Sequence, residues 1–235
     1  MDSRGCLSVV MPVYNEQATL DTIIGRVLAR PEVGELIAVD DCSRDDSAAI
    51  LGRWAVTDER VRVVSHERNQ GKGAALRTGI AAATRPLVII QDADLEYDPN
   101  DYAKLVQPLL DGRADAVFGS RFRGGEASRV LYYWHSIGNR VLTNLSNMLT
   151  DINLTDMETC YKVFRRELVQ GFRLRENRFG FEPEVTARVA RAGARLYEVS
   201  VSYDGRTYAE GKKIGWRDGV QAIWCILKYN LSKSS

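Results

Sequence analysis

The stretch P-L-V-I-I-Q-D-A-D-L-E-Y-D-P, residues 86–99, joins an apolar run to four carboxylates, Asp92, Asp94, Glu96 and Asp98. A short run of Val, Ile and Leu without alternation reads as a strand covered on both faces, as in a parallel sheet. Two readings of the carboxylates compete: a metal site, or a solvated turn that caps the next helix. Asp98-Pro99-Asn100-Asp101 fits the second, with an N-cap, a proline at the first helical position and an acid in the first turn. Asp92 and Asp94 fit the first. Side chains at i and i+2 of an extended segment point the same way, so the two can converge on one cation. Ala93 keeps the opposite face small, and Glu96 continues the parity. Magnesium and manganese accept one or two carboxylates plus phosphate oxygens.

Outward from this stretch the first half alternates strands and helices. Strands are expected at 7–13, 35–40, 61–65, 86–91 and 115–120, and helices at 17–30, 44–55 and 71–84. Ser43, with Asp46 three residues on, has the pattern of a capping box for the second helix. This alternation predicts an α/β fold with a doubly wound, mostly parallel sheet. Such sheets bind ligands at the carboxyl ends of their strands, where the acidic motifs fall. The second half offers a helical period over 130–149 (Val130, Trp134, Ile137, Val141, Leu145, Met148), strands at 160–164 and 195–203, and helices at 182–192 and 218–231. Without a linker or a repeat, the 235 residues read as one domain, a ligand-binding half at 1–120 and a second half at 121–235 ending in an amphipathic helix.

With 45% apolar and 27% charged residues, the chain has the composition of a globular protein. A net charge of +1 gives no electrostatic footprint for nucleic acid. The four cysteines never form C-x-x-C, which excludes a zinc-cluster or disulfide-framework reading and fits a reducing compartment. The N-terminal apolar run is too short for a signal peptide, and no window reaches the ~18 apolar residues of a spanning helix. The expected place is the cytoplasm, with attachment to a membrane surface left open.

Two other motifs have bland alternatives. G-K-G-A-A-L (71–76) lacks the third glycine of a dinucleotide fingerprint and the Ser or Thr of a P-loop. It is either a helix N-terminus carrying Lys72 toward an anion or a glycine-rich turn with a solvated lysine. Asp40 and Asp41 end the second strand. One reads as a binding group and the other as a turn holder; a phospho-acceptor receiver would place such a pair after its first strand.

Seven motifs then converge: P-V-Y-N-E (12–16), V-D-D-C-S-R-D (39–45), N-Q-G-K-G-A-A-L-R-T-G (69–79), Q-D-A-D-L-E-Y-D-P (91–99), F-G-S-R-F (118–122), T-D-M-E-T-C-Y-K-V-F-R (155–165) and G-R-T-Y-A-E-G-K-K-I-G-W-R-D-G (205–219). In this order they resemble the inverting glycosyltransferase family 2, and within it the dolichol-phosphate mannose and glucose synthase branch. The resemblance implies a GT-A fold with a C-terminal acceptor-side extension. It also implies Mg²⁺- or Mn²⁺-dependent transfer of a hexose from a UDP- or GDP-sugar to a polyprenyl phosphate at the cytoplasmic membrane surface. By resemblance, Pro12, Tyr14 and Glu16 line the nucleotide pocket, and Asp41 bonds the base. Lys72 sits by the diphosphate, with Ala93 between the metal ligands Asp92 and Asp94, which Glu96 joins. Asp94 and Arg121 would be catalytic, Arg121 by meeting the acceptor phosphate. Arg206, Lys212 and Lys213 would belong to a closing segment, Lys213 toward the acceptor. A second acceptor-side arginine of the family is replaced by His135, leaving Arg123 and Arg129 as candidates for its charge. Asp156 and Glu158 are candidate ligands of sugar hydroxyls, Asp156 alternatively a turn cap. The same chemistry on a non-lipid acceptor, or a non-catalytic binding module, are the competing readings.

The lipid also needs a surface. Tyr132, Tyr133 and Trp134, and Ile223, Trp224, Ile226 and Leu227 beside Lys228, are either core residues or an interfacial face.

Overall fold

The computed structural model describes residues 3–124, 129–130, 132–205 and 216–231. Arg206, Lys212 and Lys213 lie outside the described residues. Strands β1 (Leu7–Val13), β2 (Val33–Asp40), β3 (Val61–Ser65), β4 (Leu87–Ile90), β5 (Ala116–Ser120), β6 (Lys162–Arg165) and β7 (Leu196–Ser200) form one sheet in the order β3-β2-β1-β4-β6-β5-β7. The pairings β1–β2, β2–β3, β1–β4 and β5–β7 are parallel, while β6 runs antiparallel between β4 and β5. The doubly wound, mostly parallel sheet is therefore present, with helices on both faces.

Helices α1 (Leu20–Leu28), α2 (Ser47–Thr57), α3 (Lys72–Ala82), α4 (Tyr102–Leu110), α5 (Tyr133–Thr150), α6 (Arg166–Gln170), α7 (Phe181–Arg191) and α8 (Trp216–Leu231) complete the described elements. All four residues of β4 and all eight of β2 are buried, as expected of strands covered on both faces. Burying each such Leu, Ile or Val contributes roughly 1.5–3 kcal/mol. One apolar cluster runs from Cys6 to Ile226, drawing on both halves of the chain.

Register places the motifs together. Val13 pairs with Asp40, Asp40 with Ser65, and Val10 with Ile90. The carboxyl ends of β1, β2, β3 and β4 therefore lie side by side, and the loops carrying Tyr14, Asp41, His66 and Asp92 leave the sheet at one edge.

Three local expectations change. The second helix starts at Ser47, and Asp46 at its N-cap makes no side-chain cap bond. Instead of boxing with Asp46, the Ser43 hydroxyl accepts the Asn15 N–H at 3.1 Å, and Ser47 Oγ accepts the Glu16 N–H at 3.0 Å. These bonds knit the β1 and β2 loops together. The last strand ends at Ser200, and the chain then touches the site as a bridge between Tyr203 and Tyr97. Helix α6 follows β6 directly without a separate sequence signal. The cap at Asp98 forms as expected, its Oδ1 accepting the Asn100 N–H at 3.0 Å ahead of a 3₁₀ turn at Pro99–Asp101.

Helix α5 divides its apolar side chains between inside and outside, with Leu142, Leu145 and Leu149 packed partly buried against the core. Its buried residues are Asn139, Thr143 and Ser146, while Trp134 is 80%, Val141 55% and Met148 81% exposed. Helix α8 packs against α5. It buries Ala222, Cys225, Ile226 and Tyr229 and exposes Val220, Ile223, Trp224 and Leu231. Ile226 is thus a core residue, not an interfacial one. No described helix is long and apolar enough to cross a membrane.

Candidate active site

A cavity of about 430 Å³ opens at the carboxyl ends of the parallel strands. Its wall includes Pro12, Tyr14 and Glu16 after β1, Asp41 after β2, and Lys72 at the start of α3. Asp92, Ala93, Asp94 and Glu96 follow β4, Arg121 follows β5, and His135 comes from α5. Every one of these residues singled out from sequence is brought to one cleft. Arg123 and Arg129 are not: Arg123 meets the backbone and carboxylate of Glu198, and Arg129 the Gly205 carbonyl. Both point to β7 and the segment after it instead of the described cavity wall.

The two aspartates after β2 divide their work. Asp40 Oδ1 accepts the Ser43 N–H at 3.1 Å and holds the turn, which passes through Cys42 at φ 63°. A cysteine in this left-handed region costs about 1 kcal/mol, and Asp40 offsets part of it. Asp41 faces the cavity and is bonded by His66, Gln70 and Gly71.

After β4, Asp92 Oδ1 pairs with Lys72 Nζ at 2.8 Å, and Glu182 Oε1 lies 3.5 Å from the same ammonium. Burial works against the charge on Lys72, but Asp92, together with the Cys160 and Glu182 groups, more than offsets it and raises the pKa well above the usual lysine value. Asp94 is buried, and its Oδ1 accepts the Glu96 N–H at 3.1 Å. Glu96 accepts the Tyr203 hydroxyl at 3.0 Å. Among the described residues no three His, Cys, Asp or Glu side chains gather as a metal cluster, so the carboxylates do not cage a cation by themselves. The charge inventory still fits one. The cavity wall carries seven carboxyl residues (Glu16, Asp41, Asp92, Asp94, Glu96, Glu158, Glu182) against three cationic ones (Lys72, Arg121, Arg178). A wall this acidic meets a phosphate only with added positive charge, and Mg²⁺ or Mn²⁺ shared between one or two carboxylates and phosphate oxygens supplies it.

Arg121 is held by Asp156, from Nε to Oδ2 at 2.7 Å and from Nη2 to Oδ1 at 2.8 Å. Asn139 of α5 joins both partners, and the Tyr203 ring lies under the guanidinium at 5.2 Å. Burial opposes both charges, yet the pairing keeps Arg121 protonated and Asp156 below its usual range. Asp156 is fully buried and does not reach the cavity. It orients Arg121 and is not a sugar ligand. Glu158 does line the cavity, and burial followed by the neighbouring Glu182 charge pushes its pKa up to about 8.

The loop before α7 and the first turn of that helix supply residues that sequence reading passed over: Arg178 and Phe179 from the loop and Glu182 from α7 all line the cavity. Glu182 Oε2 is buried with no hydrogen-bond partner among the described residues. The signal available was E-N-R-F-G-F-E-P-E (176–184), a charged loop running into an acidic helix start. It stands far in sequence from the strand-end motifs. The loop is pinned to α3, where Arg77 Nη2 donates to Asn177 Oδ1 at 2.7 Å.

The fold and cleft define an α/β protein with its candidate ligand site at the carboxyl ends of the strands. The family model for glycosyl transferase family 2 matches residues 8–172, and the chain belongs to that family and is a glycosyltransferase. An uncharacterized glycosyltransferase of Mycobacterium bovis is 30% identical over 210 residues, covering 89% of this chain and 90% of that protein. The polyprenol monophosphomannose synthase of Mycolicibacterium smegmatis is 28% identical, covering 88% and 80%. The undecaprenyl-phosphate 4-deoxy-4-formamido-L-arabinose transferase of Aeromonas hydrophila is 28% identical over 88% of this chain, which spans 62% of that protein's length. Among solved structures, glucosyl-3-phosphoglycerate synthase of Mycobacterium tuberculosis, crystallised with Mn²⁺, UDP and glucosyl-3-phosphoglycerate, shares the fold. Its TM-score is 0.75 at 23% identity, over 99% of this chain and 82% of that one.

Proposed function

We propose that this enzyme is an inverting, metal-dependent hexosyltransferase. It moves a hexose from a UDP- or GDP-hexose to a polyprenyl phosphate. The observation that carries the reading is one cleft holding both the acidic Asp92–Asp94 turn with Lys72 and the fixed guanidinium of Arg121. The names of the mannose synthase and arabinose transferase relatives support the lipid-phosphate acceptor, and the solved synthase with UDP and Mn²⁺ supports the donor and cation.

Asp94 with Asp92 would hold the divalent cation, Glu96 standing behind them; when bound, it neutralises the diphosphate leaving group. Lys72 pairs with Asp92 and adds positive charge for the diphosphate. The acceptor phosphate has a second pKa of about 6 and is largely dianionic at neutral pH. It attacks the anomeric carbon without a general base, and the bond to the diphosphate breaks with its electron pair, inverting the centre. Arg121, fixed by Asp156, positions the acceptor oxygens. Glu182 and Glu158 face the remaining space, where sugar hydroxyls need partners.

The outward apolar faces of α5 and α8 give the enzyme a peripheral seat on a lipid surface. His135, in the cavity wall, follows the exposed Tyr133 and Trp134 on α5. The test is a screen of UDP- and GDP-hexoses with Mg²⁺ or Mn²⁺ and a polyprenyl phosphate, measuring nucleoside diphosphate and glycolipid. Transfer that needs both lipid phosphate and cation supports the reading, and transfer to a soluble sugar without either overturns it.

A further inference from the structure

We infer that Asp41 admits a single ligand N–H and so selects an imide base, uracil or thymine, over guanine. This rests on the nucleotide-sugar reading above and narrows it. An ionised carboxylate has about four lone-pair sites. At Asp41 the protein fills three of them: Oδ1 accepts His66 Nδ1–H at 2.7 Å and the Gln70 N–H at 2.9 Å, and Oδ2 accepts the Gly71 N–H at 2.7 Å. The side chain is only 4% exposed, yet the residue lines the cavity. One position on Oδ2 is left for a ligand, while Oδ1 is closed.

Guanine offers N1–H and N2–H side by side, a pair that matches both oxygens of an open carboxylate. Here one of the two is left without a partner in a desolvated site, which is the costly outcome. Cytosine turns a bare N3 lone pair toward the carboxylate. Uracil and thymine present one N3–H between two carbonyls. Asn69, also in the wall, gives one amide hydrogen to the Asp41 carbonyl at 3.2 Å and has a second of the kind such a carbonyl accepts.

His66 is the positioning residue in this arrangement. Because the Asp41 carboxylate oxygen accepts, the 2.7 Å contact puts a hydrogen on Nδ1 and aims it at Asp41, while Nε2 lies 2.9 Å from the Thr78 hydroxyl of α3. The imidazole thus closes Oδ1 while tying the ends of β2 and β3 to the helix that carries Lys72.

Calorimetric titration of the enzyme with UDP, dTDP, CDP and GDP, each with Mn²⁺, tests the inference. UDP, dTDP or both should bind at least about tenfold tighter than GDP and CDP, and the UDP and dTDP arms separate the two imide bases. GDP binding equal to or tighter than both overturns the base assignment and leaves the glycosyltransferase reading intact. No binding by any of the four overturns both. His66→Leu reopens Oδ1 and should shrink the imide-to-guanine ratio, whereas His66→Asn keeps a donor and should preserve it. An unchanged ratio in a folded His66→Leu protein removes His66 from the device. If that variant does not fold, the wild-type panel still decides.

Discussion

Arg121 and Asp156 form a two-pronged bridge, 2.7 and 2.8 Å long, with Asp156 wholly out of solvent behind the arginine that lines the cleft. Three elements meet there: the end of β5, the turn before β6, and α5 through Asn139. Asp156→Asn leaves the guanidinium buried without its counter-charge, which costs about 3–5 kcal/mol. The folded pKa of Asp156 is lowered, so the pair's contribution is present above the unfolded value of about 3.9 and is lost as pH falls through the lower folded value. Denaturant midpoints followed below pH 5 should show an acid loss in wild type that is smaller in Asp156→Asn.

Asp94→Asn keeps the oxygen that accepts the Glu96 N–H, so the turn should survive with a stability change within about 1 kcal/mol. Under the proposed metal assignment, transfer should fall by at least about a hundredfold, because Asn lacks the charge that would face the cation. Thermal melting and product formation at saturating Mn²⁺ separate the two effects. Full activity removes the metal assignment.

Glu158 behaves oppositely to Asp156. Its raised pKa, about 8, means that the folded protein holds a proton the unfolded chain has lost above about pH 4.3. Its contribution to stability therefore declines as pH rises from there to about 8 and then levels. Glu158→Gln should be more stable than wild type at pH 8 and indistinguishable at pH 4, read as melting temperatures at the two values.

A Cβ on Gly73 would overlap the Glu176 carbonyl, and one on Gly71, at φ 97°, the Asn177 carbonyl. Gly73→Ala should therefore push the Arg178 loop off the start of α3. A stability loss of about 1–3 kcal/mol and a raised donor KM are expected, from melting curves and initial rates.

Trp134 and Trp224 are exposed and carry little of the core. Replacing both with Ser should leave the melting temperature nearly unchanged and weaken partition to vesicles containing polyprenyl phosphate by about tenfold or more, at roughly 1 kcal/mol per ring. Flotation of wild type and the double variant measures it. Equal flotation, or none by wild type, removes the lipid-surface proposal.

Strand order along the chain, the cap at Asp98 and the gathering of Tyr14, Asp41, Lys72, Asp92 and Arg121 at one sheet edge were legible in the residues. Each depends on local propensity or on the rule that parallel strands deliver their following loops to the same side. That the Ser43–Asp46 box does not form was not legible, because Asn15 and Glu16, about thirty residues earlier, take the hydroxyls of Ser43 and Ser47.

By itself the sequence determined that α5 has an apolar stripe, that β4 ends in carboxylates and that the motifs stand in the order of one family. Tertiary structure alone decided that Trp134, Val141 and Met148 of the stripe face outward while Leu145 packs on the core, that Asp156 serves Arg121 and that the Arg178 loop closes on Gly71 and Gly73. The physical reason is that periodicity fixes which side chains share a face. Which way that face turns, and which distant group satisfies a buried charge, depends on partners brought together only by packing.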